Sequence, residues 1–238
     1  FQNNHPPLEV PKSYVDQYAT KALQLTINGM TTFLDESVGN VTAALKSTGM
    51  WNTTLLVYSA DNGGYLGQGG DDTPLRGGKF SDFQGGTRVV SFAAGGFLPP
   101  KMRGTIESGH IHIADWYATF AGLAGVSSAT LVDRRAAAAG LPALDSIDVW
   151  PLVSGTNTTS PRVEVPLSAA TGSAHLSRAS DADTAEVRSP TYFVGGEGLI
   201  VGKWKIITGL QHHGPFDPPS KNLCNAMAAD PKVGWNQT

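Results

Sequence analysis

A long amphipathic pattern followed by a short apolar run is the feature that most limits how this chain can fold. Apolar side chains recur at steps of three or four residues, at Leu23, Ile27, Met30, Leu34, Val38, Val41 and Leu45. This period predicts one long helix with a buried face, and Gly49 is suited to end it. Residues 55–58 are continuously apolar, which is typical of a strand covered on both faces in a parallel sheet. A helix followed by such a strand predicts an α/β fold.

The middle of the chain continues the same alternation of strand and helix. Residues 88–94 predict a second buried strand, and residues 112–124 predict a short helix. Asp115 stands near the start of that helix, where a carboxylate interacts favourably with the helix dipole. Residues 136–139 and 168–189 are rich in alanine, serine and threonine, and we expect loops there.

The C-terminal part differs from what precedes it. Residues 199–207 alternate between faces and predict an antiparallel hairpin. We therefore expect two parts: residues 1–165 as an α/β domain and residues 166–238 as an irregular segment followed by a small antiparallel subdomain. Because the chain opens at Phe1 on what reads as the end of an element, we expect it to be a fragment.

Composition excludes several classes of partner. The chain has 238 residues, 40% of them hydrophobic, enough to bury a substantial core. Its net charge is −3 and it has no basic run, so a nucleic-acid partner is not expected. No apolar run approaches the roughly 20 residues of a membrane span. Cys224 is the only cysteine, which excludes a disulfide within the chain and a clustered-cysteine zinc site.

Two polar side chains come directly after the end of the first predicted strand. They are Asp61 and Asn62, and a glycine-rich loop continues after them. Ligands of open α/β sheets gather outside the carboxyl ends of the strands. A carboxylate beside a carboxamide oxygen is hard ligation that suits Ca²⁺ or Mg²⁺. Asp-Asn-Gly-Gly is also a good turn sequence, and spacing alone favours the turn.

A lysine surrounded by glycines follows this loop. Lys79 lies in the segment PLRGGKFSDFQGGTR, where glycines allow the backbone to approach a ligand closely. The segment is not a P-loop, because Phe80 stands where a Ser or Thr would bind magnesium. A lysine so presented can neutralise a tetrahedral anion. The alternative, a solvated lysine on a turn, is the commoner case.

A histidine near the start of the chain is a third candidate. His5 is followed by Pro6 and Pro7, which stiffen the loop that holds the ring. Such a histidine can act as a general acid or hydrogen-bond an oxyanion, although a loop histidine without a role fits the same residues. The chain has no G-x-S-x-G motif, so a hydrolase triad has little support.

Four Asn-x-Ser/Thr sequons suggest the compartment. They begin at Asn40, Asn52, Asn157 and Asn236. Roughly one or two would arise by chance in a chain so rich in serine and threonine. Four favour a glycoprotein of the secretory pathway.

In order along the chain, these pieces resemble the second half of a sulfatase of the arylsulfatase B-like branch. Five collinear segments carry the resemblance over roughly the first 150 residues: FQNNHPPLEVPKSY, DESVGNVTAALKSTGMWNTTLLVYSADNGG, PLRGGKFSDFQGGTR, HIADWYATFAGLAG and DSIDVWPL. The later GKWKIITG resembles the C-terminal strands of the family. The resemblance implies an alkaline-phosphatase-like fold, with a mixed sheet flanked by helices and a small antiparallel C-terminal subdomain.

The resemblance also implies a role for each candidate residue. Asp61 and Asn62 correspond to two ligands of one calcium ion, whose remaining ligands would come from a missing N-terminal part. Lys79 corresponds to a lysine that contacts the sulfate, and His5 to a histidine that contacts the sulfate or the leaving oxygen. Family members act on sulfate esters, here expected to be those of sulfated small molecules, sugars or glycosaminoglycan-like polysaccharides. The family is lysosomal or secreted, in agreement with the sequons.

The nucleophile of the family is absent from this sequence. It is a formylglycine made from the cysteine of a C-x-P-S-R motif, whereas Cys224 lies in LCNAMA and lacks the proline and arginine. We therefore expect the chain alone to be inactive and the full-length protein to hydrolyse sulfate esters. Two alternatives remain: a phosphodiesterase or phosphonate hydrolase of the same superfamily, and a pseudo-sulfatase that binds sulfated glycans without cleaving them.

Overall fold

The computed structural model describes residues 3–18, 22–127, 131–168 and 197–208. The α-helices of this part are α1 (Lys12–Val15), α2 (Ala22–Ser47), α3 (Gln84–Thr87), α4 (Asp115–Leu123), α5 (Arg134–Ala138) and α6 (Trp150–Val153). Its strands are β1 (Leu56–Ser59), β2 (Ser91–Ala94), β3 (Glu164–Ser168), β4 (Glu197–Val201) and β5 (Trp204–Thr208). None of the helices in these ranges combines the length and the hydropathy that a bilayer span needs.

The described residues divide into two compact units. The first unit comprises Phe1–Trp51, Tyr58–Phe92 and Pro166–Thr238, and the second comprises Asn52–Val57 and Ala93–Val165. The chain thus passes from one unit to the other within β1, β2 and β3. The division into residues 1–165 and 166–238 expected from the sequence stays a prediction.

The long helix predicted from the apolar period is α2, and Gly49 follows it with a φ of +75°. Only part of the predicted face is buried: Met30 and Leu34 are 3% and 8% exposed, whereas Val41 is 44% exposed. The buried part lies where α1 packs on α2. There, a Cβ added to Gly29 would lie 3.2 Å from the backbone of α1.

The predicted strand at residues 55–58 is β1, which pairs with β2 in a two-stranded sheet. Its side chains are half-buried. The expected second strand, residues 88–94, is shorter than predicted and is not buried throughout. Arg88 instead ends α3 by donating its backbone N–H to Gln84 O at 2.8 Å. Val90 is 73% exposed and Phe92 40% exposed.

The core of the second unit forms around α4 and α6. Leu98, Trp116, Val149 and Val153 pack together there. The predicted helix at residues 112–124 is confirmed as α4, but Asp115 does more than face the helix dipole. Its carboxylate is fully buried and accepts two hydrogen bonds from Arg162, at 2.6 Å from Nε and 2.5 Å from Nη2.

The alanine-rich segment at residues 136–139 was predicted to be a loop, and this prediction is wrong. Residues 134–138 form α5. The Asp133 carboxylate accepts hydrogen bonds from the N–H groups of Arg135 and Ala136, both at 2.9 Å. A capping carboxylate followed by alanines, the strongest helix formers, accounts for the helix.

The predicted C-terminal hairpin is confirmed as β4 and β5, which pair antiparallel with Gly198 opposite Ile207 and Ile200 opposite Lys205. β3 joins as a third strand in the order β3-β4-β5, and the sequence did not predict it. The loop expected at residues 168–189 lies outside the described residues, except for Ser168.

Candidate active site

The four residues singled out by the sequence all fall in the first unit. They are His5 in the N-terminal loop, Asp61 and Asn62 after β1, and Lys79 between β1 and α3. Each is accessible to some degree: His5 and Asp61 are exposed, while Asn62 and Lys79 are half-buried. Ligands can therefore reach all four side chains.

Asp61 and Asn62 lie where the pairing of β1 with β2 stops. The Ala60 N–H still donates to Val90 O at 3.0 Å, one residue beyond the end of β1. Asn62 Nδ2 donates to Gly63 O at 2.8 Å, a bond that engages the amide nitrogen and not the amide oxygen. The oxygen of the Asn62 carboxamide is not used by this bond, so the strand end carries a carboxylate and a carboxamide oxygen on consecutive residues.

Two glycine-rich loops meet next to this strand end. The first glycine loop comprises residues 61–70, and the second comprises residues 76–87. The Gly63 N–H donates to Gly86 O at 3.0 Å, and the Lys79 N–H donates to Gly64 O at 2.9 Å. These two bonds join the backbone that carries Asp61 and Asn62 to the backbone that carries Lys79.

The approach of the two loops is too close for side chains. A Cβ added to Gly63 would lie 1.6 Å from Gly85 O, and one added to Gly78 would lie 2.7 Å from Gly64 O. Backbone without side chains is what allows such contact. The glycines are therefore explained by the contact between the loops as well as by any ligand.

Lys79 is held by a strained neighbour. Phe80 has a φ of +76°, a conformation that costs a bulky residue about 1–3 kcal/mol. The Phe80 ring packs edge-on against Tyr65, with centroids 5.6 Å apart, and Lys79 Nζ lies 5.3 Å from the centroid of the same ring. The Phe80 ring thus helps to fix where the ammonium group lies.

His5 is fixed by contacts of its own loop. Its Nδ1 lies 2.7 Å from Pro6 O, and because a carbonyl can only accept, Nδ1 carries the proton and Nε2 is the acceptor nitrogen. The preceding residue, Asn4, has a φ of +71° and donates from Nδ2 to Thr31 Oγ1 of α2 at 3.1 Å. Backbone bonds join the loops that carry Asp61, Asn62 and Lys79, and the convergence of these three side chains and of His5 on one site stays a prediction.

The donor set fits part of a calcium shell. Calcium is bound by about six to eight oxygens, and Asp61 and Asn62 supply adjacent hard oxygens of the preferred type. No group of three or more His, Cys, Asp or Glu side chains able to hold a metal occurs in the part of the chain that the structure describes. Asp61 and Asn62 would therefore need oxygens from other residues to complete a site.

Asp72 is a residue near the site that the sequence did not single out. Its Oδ1 accepts from the Gly64 N–H at 2.9 Å, and its Oδ2 would lie 3.0 Å from a Cβ on Gly78. It therefore lies against both glycine loops. Burial raises the pKa of the Asp72 carboxyl, the Gly64 bond lowers it, and neighbouring Asp71 raises it further. The Asp-Asp pair ahead of Thr73-Pro74 resembles a surface turn, which is why the sequence did not indicate a functional role for Asp72.

Comparison with known proteins shows which family this chain is similar to. A family model described as "Sulfatase" matches residues 1–126. Arylsulfatase J of Mus musculus is 31% identical over 229 residues, covering 92% of this chain and 34% of that protein. Arylsulfatase A of Homo sapiens is 34% identical over 136 residues, covering 54% of this chain and 23% of that protein.

Among solved structures, Ps i-CgsB in complex with k-i-k-neocarrahexaose superimposes with a TM-score of 0.64 at 23% identity, covering 86% of this chain and 39% of that chain. This likeness confirms the predicted fold class, an alkaline-phosphatase-like α/β fold of which the chain is a part. The chain spans about a third of the length of arylsulfatase J.

The contact between the loops predicts the effect of a single methyl group. Gly63→Ala places a Cβ where Gly85 O lies, so the loops must separate and the bond from Gly63 to Gly86 is weakened. We expect the free energy of unfolding to fall by about 1–3 kcal/mol, the usual range for overpacking, as measured by urea denaturation.

Gly39→Ala is the matched control, because a Cβ at Gly39 in α2 meets nothing within 4 Å. This change should raise the free energy of unfolding by about 0.5–1 kcal/mol. Equal effects of the two substitutions would contradict the loop contact.

Proposed function

The chain belongs to the sulfatase family, and on this premise we propose that the whole protein hydrolyses sulfate esters with Asp61, Asn62, Lys79 and His5 in its active site. The observation that carries the proposal is the pair of backbone bonds between the glycine loops, at 3.0 Å and 2.9 Å. These bonds join the loop that carries Asp61 and Asn62 to the loop that carries Lys79, which supports a site where hard oxygens and a cation act together on an anionic ester.

Each side chain has a separate task in this proposal. Lys79 offsets negative charge on the sulfate oxygens as a point charge. His5, with its proton on Nδ1, accepts a hydrogen bond at Nε2 in the neutral form, and once protonated there it can donate to the leaving oxygen. Asp61 and Asn62 would hold part of the shell of a calcium ion, which polarises the sulfate when bound. A formylglycine that this sequence does not contain would supply the nucleophile.

We infer that the substrate is a sulfated carbohydrate. The structural neighbour Ps i-CgsB was solved in complex with k-i-k-neocarrahexaose, an oligosaccharide, and this supports a sugar ester. The arylsulfatase B-like branch and the glycosaminoglycan-like character of the substrate stay predictions. The pairing of an uncharged Asn62 with Asp61 favours calcium over the zinc or manganese of a phosphodiesterase.

The position of the sequons supports a secretory location. Asn40, Asn52 and Asn157 are exposed, so the enzyme that attaches N-linked glycans can reach each of them after folding begins. Asn236 lies outside the described residues.

Glycosylation has a direct measurement. In a protein secreted from eukaryotic cells, N-glycosidase treatment should lower the mass, and Asn157→Gln should remove one glycan. Asn3→Gln alters an asparagine that is not part of a sequon and should leave the mass of the glycans unchanged. A mass that no enzyme treatment alters would contradict the secretory location.

The role of Lys79 is tested in the full-length protein. Lys79→Ala should lower kcat/KM for a sulfate ester by the equivalent of about 2–4 kcal/mol, the usual loss when one preorganised donor is removed. Lys46→Ala, which removes an exposed lysine at the end of α2, should leave kcat/KM unchanged. If both variants keep wild-type efficiency, Lys79 is an ordinary solvated lysine.

The metal is tested at Asp61. Asp61→Asn removes one ligand charge and should weaken calcium binding to the full-length protein, as measured by titration calorimetry. Asp71→Asn is the control, because Asp71 is also exposed and accepts from the Thr73 N–H at 3.0 Å within its own turn. Calcium affinity that is the same in both variants would exclude Asp61 as a ligand.

A further inference from the structure

The C-terminal hairpin packs on the second glycine loop. Gly198 of β4 is buried, and a Cβ added there would lie 3.1 Å from Asp82 Cγ. Asp82 itself is 8% exposed, and it follows Lys79 by three residues. A segment more than 100 residues away in the sequence therefore covers the loop that carries the candidate sulfate-binding lysine.

One charged side chain of the hairpin faces this loop. Lys205 lies on β5 opposite Ile200, between the exposed residues Trp204 and Ile206. Its Nζ donates to Thr87 Oγ1 at 3.4 Å. Alternation along a strand places Lys205 on the inner face, where an apolar side chain would be the ordinary choice.

The surroundings of Lys205 are unusual for an ammonium group. Burial lowers the pKa of Lys205 to about 8, and the nearby Asp82 carboxylate partly opposes this effect. Among the described residues, Asp82 is the titratable group that acts on Lys205 by its charge. Burying a charge costs free energy unless a partner compensates it. A half-buried lysine at this position therefore needs an explanation, whereas a methionine would need none.

The two residues that act on Lys205, Thr87 by a hydrogen bond and Asp82 by its charge, lie at the two ends of the α3 region. Asp82 precedes this helix, and Thr87 is its last residue. The second glycine loop also makes backbone bonds to the first glycine loop, from Gly63 to Gly86 and from Lys79 to Gly64. The second glycine loop is thus in contact with both the first glycine loop and the hairpin.

We propose that Lys205 is a positioning residue: through Asp82 and Thr87 it holds the second glycine loop in the conformation that presents Lys79 to the substrate. The proposal rests on the proposed function only for what Lys79 binds. The fixing of the loop itself stands on the contacts of Lys205, Asp82 and Gly198.

The test compares three variants of the full-length protein: Lys205→Met, which keeps the bulk and removes the charge, Lys205→Arg, which keeps the charge, and Lys203→Met as the matched control. Lys203 lies exposed in the turn of the same hairpin. The first measurement is amide hydrogen exchange of residues 76–87, corrected for the intrinsic exchange rates. The second is kcat/KM for a sulfate ester. Both are made at pH 7 and at pH 9.

At pH 7, the amides of residues 76–87 should exchange about tenfold faster in Lys205→Met than in the wild type, because hydrogen bonds to a charged group are lost. The kcat/KM of this variant should fall in parallel. Lys205→Arg and Lys203→Met should match the wild type. At pH 9 the wild type should approach the methionine variant, because Lys205 loses its proton as pH rises through about 8. Lys205→Arg should not change, because its guanidinium stays charged.

Several outcomes would overturn the proposal. One is wild-type exchange in Lys205→Met, and another is faster exchange with unchanged kcat/KM. A third is an equal pH response in the wild type and in Lys205→Arg, which decides the matter even if the methionine variant does not fold. A fourth outcome separates the two proposals. If the wild type hydrolyses no sulfate ester but Lys205→Met still exchanges faster, the fixing of the loop is supported and the proposed function is refuted.

Discussion

The backbone contact between the two glycine loops is the constraint on which the candidate active site depends. Hydrogen bonds of 3.0 Å and 2.9 Å join residues 63 and 64 to residues 86 and 79. Such bonds hold the side chains of two loops in place only if the loops themselves are closely packed. Gly63 and Gly78 allow the two backbones to approach more closely than any larger residue would permit. These backbone bonds therefore fix the loops that carry Asp61, Asn62 and Lys79 relative to each other.

Charge is distributed in two different ways in the chain. In the second unit, Asp115 is fully buried and satisfied by Arg162, an arrangement that fixes structure and offers nothing to a ligand. In the first unit, Asp61 is exposed and Lys79 is half-buried, so both can still be engaged by an ion or an ester. Lys205 is neither a satisfied buried charge nor a charge open to a ligand. It is half-buried and faces the second glycine loop, so its charge can act on the candidate active site indirectly.

Local strain lies next to two of the candidate residues. Asn4 precedes His5 and Phe80 follows Lys79, and both have positive φ values, +71° and +76°. Such conformations persist only where surrounding contacts impose them. For Asn4 the contact is Thr31 of α2, and for Phe80 it is the ring of Tyr65. This is the pattern expected where a side chain must be presented at a fixed angle.

The sequence by itself determined the elements whose signal is local: α2 from its apolar period, β1 from its apolar run, and the β4–β5 hairpin from its alternation. It also placed Asp61 and Asn62 at a strand end and Lys79 among glycines. Only the tertiary structure decided that Asp115 pairs with Arg162, 47 residues away, and that Lys205 contacts Thr87, 118 residues away. It also decided that β2 begins only at Ser91, since Arg88 is engaged in ending α3. The physical reason is that periodicity reports the face a residue occupies within its own element, whereas the partner that covers this face comes from a distant part of the chain.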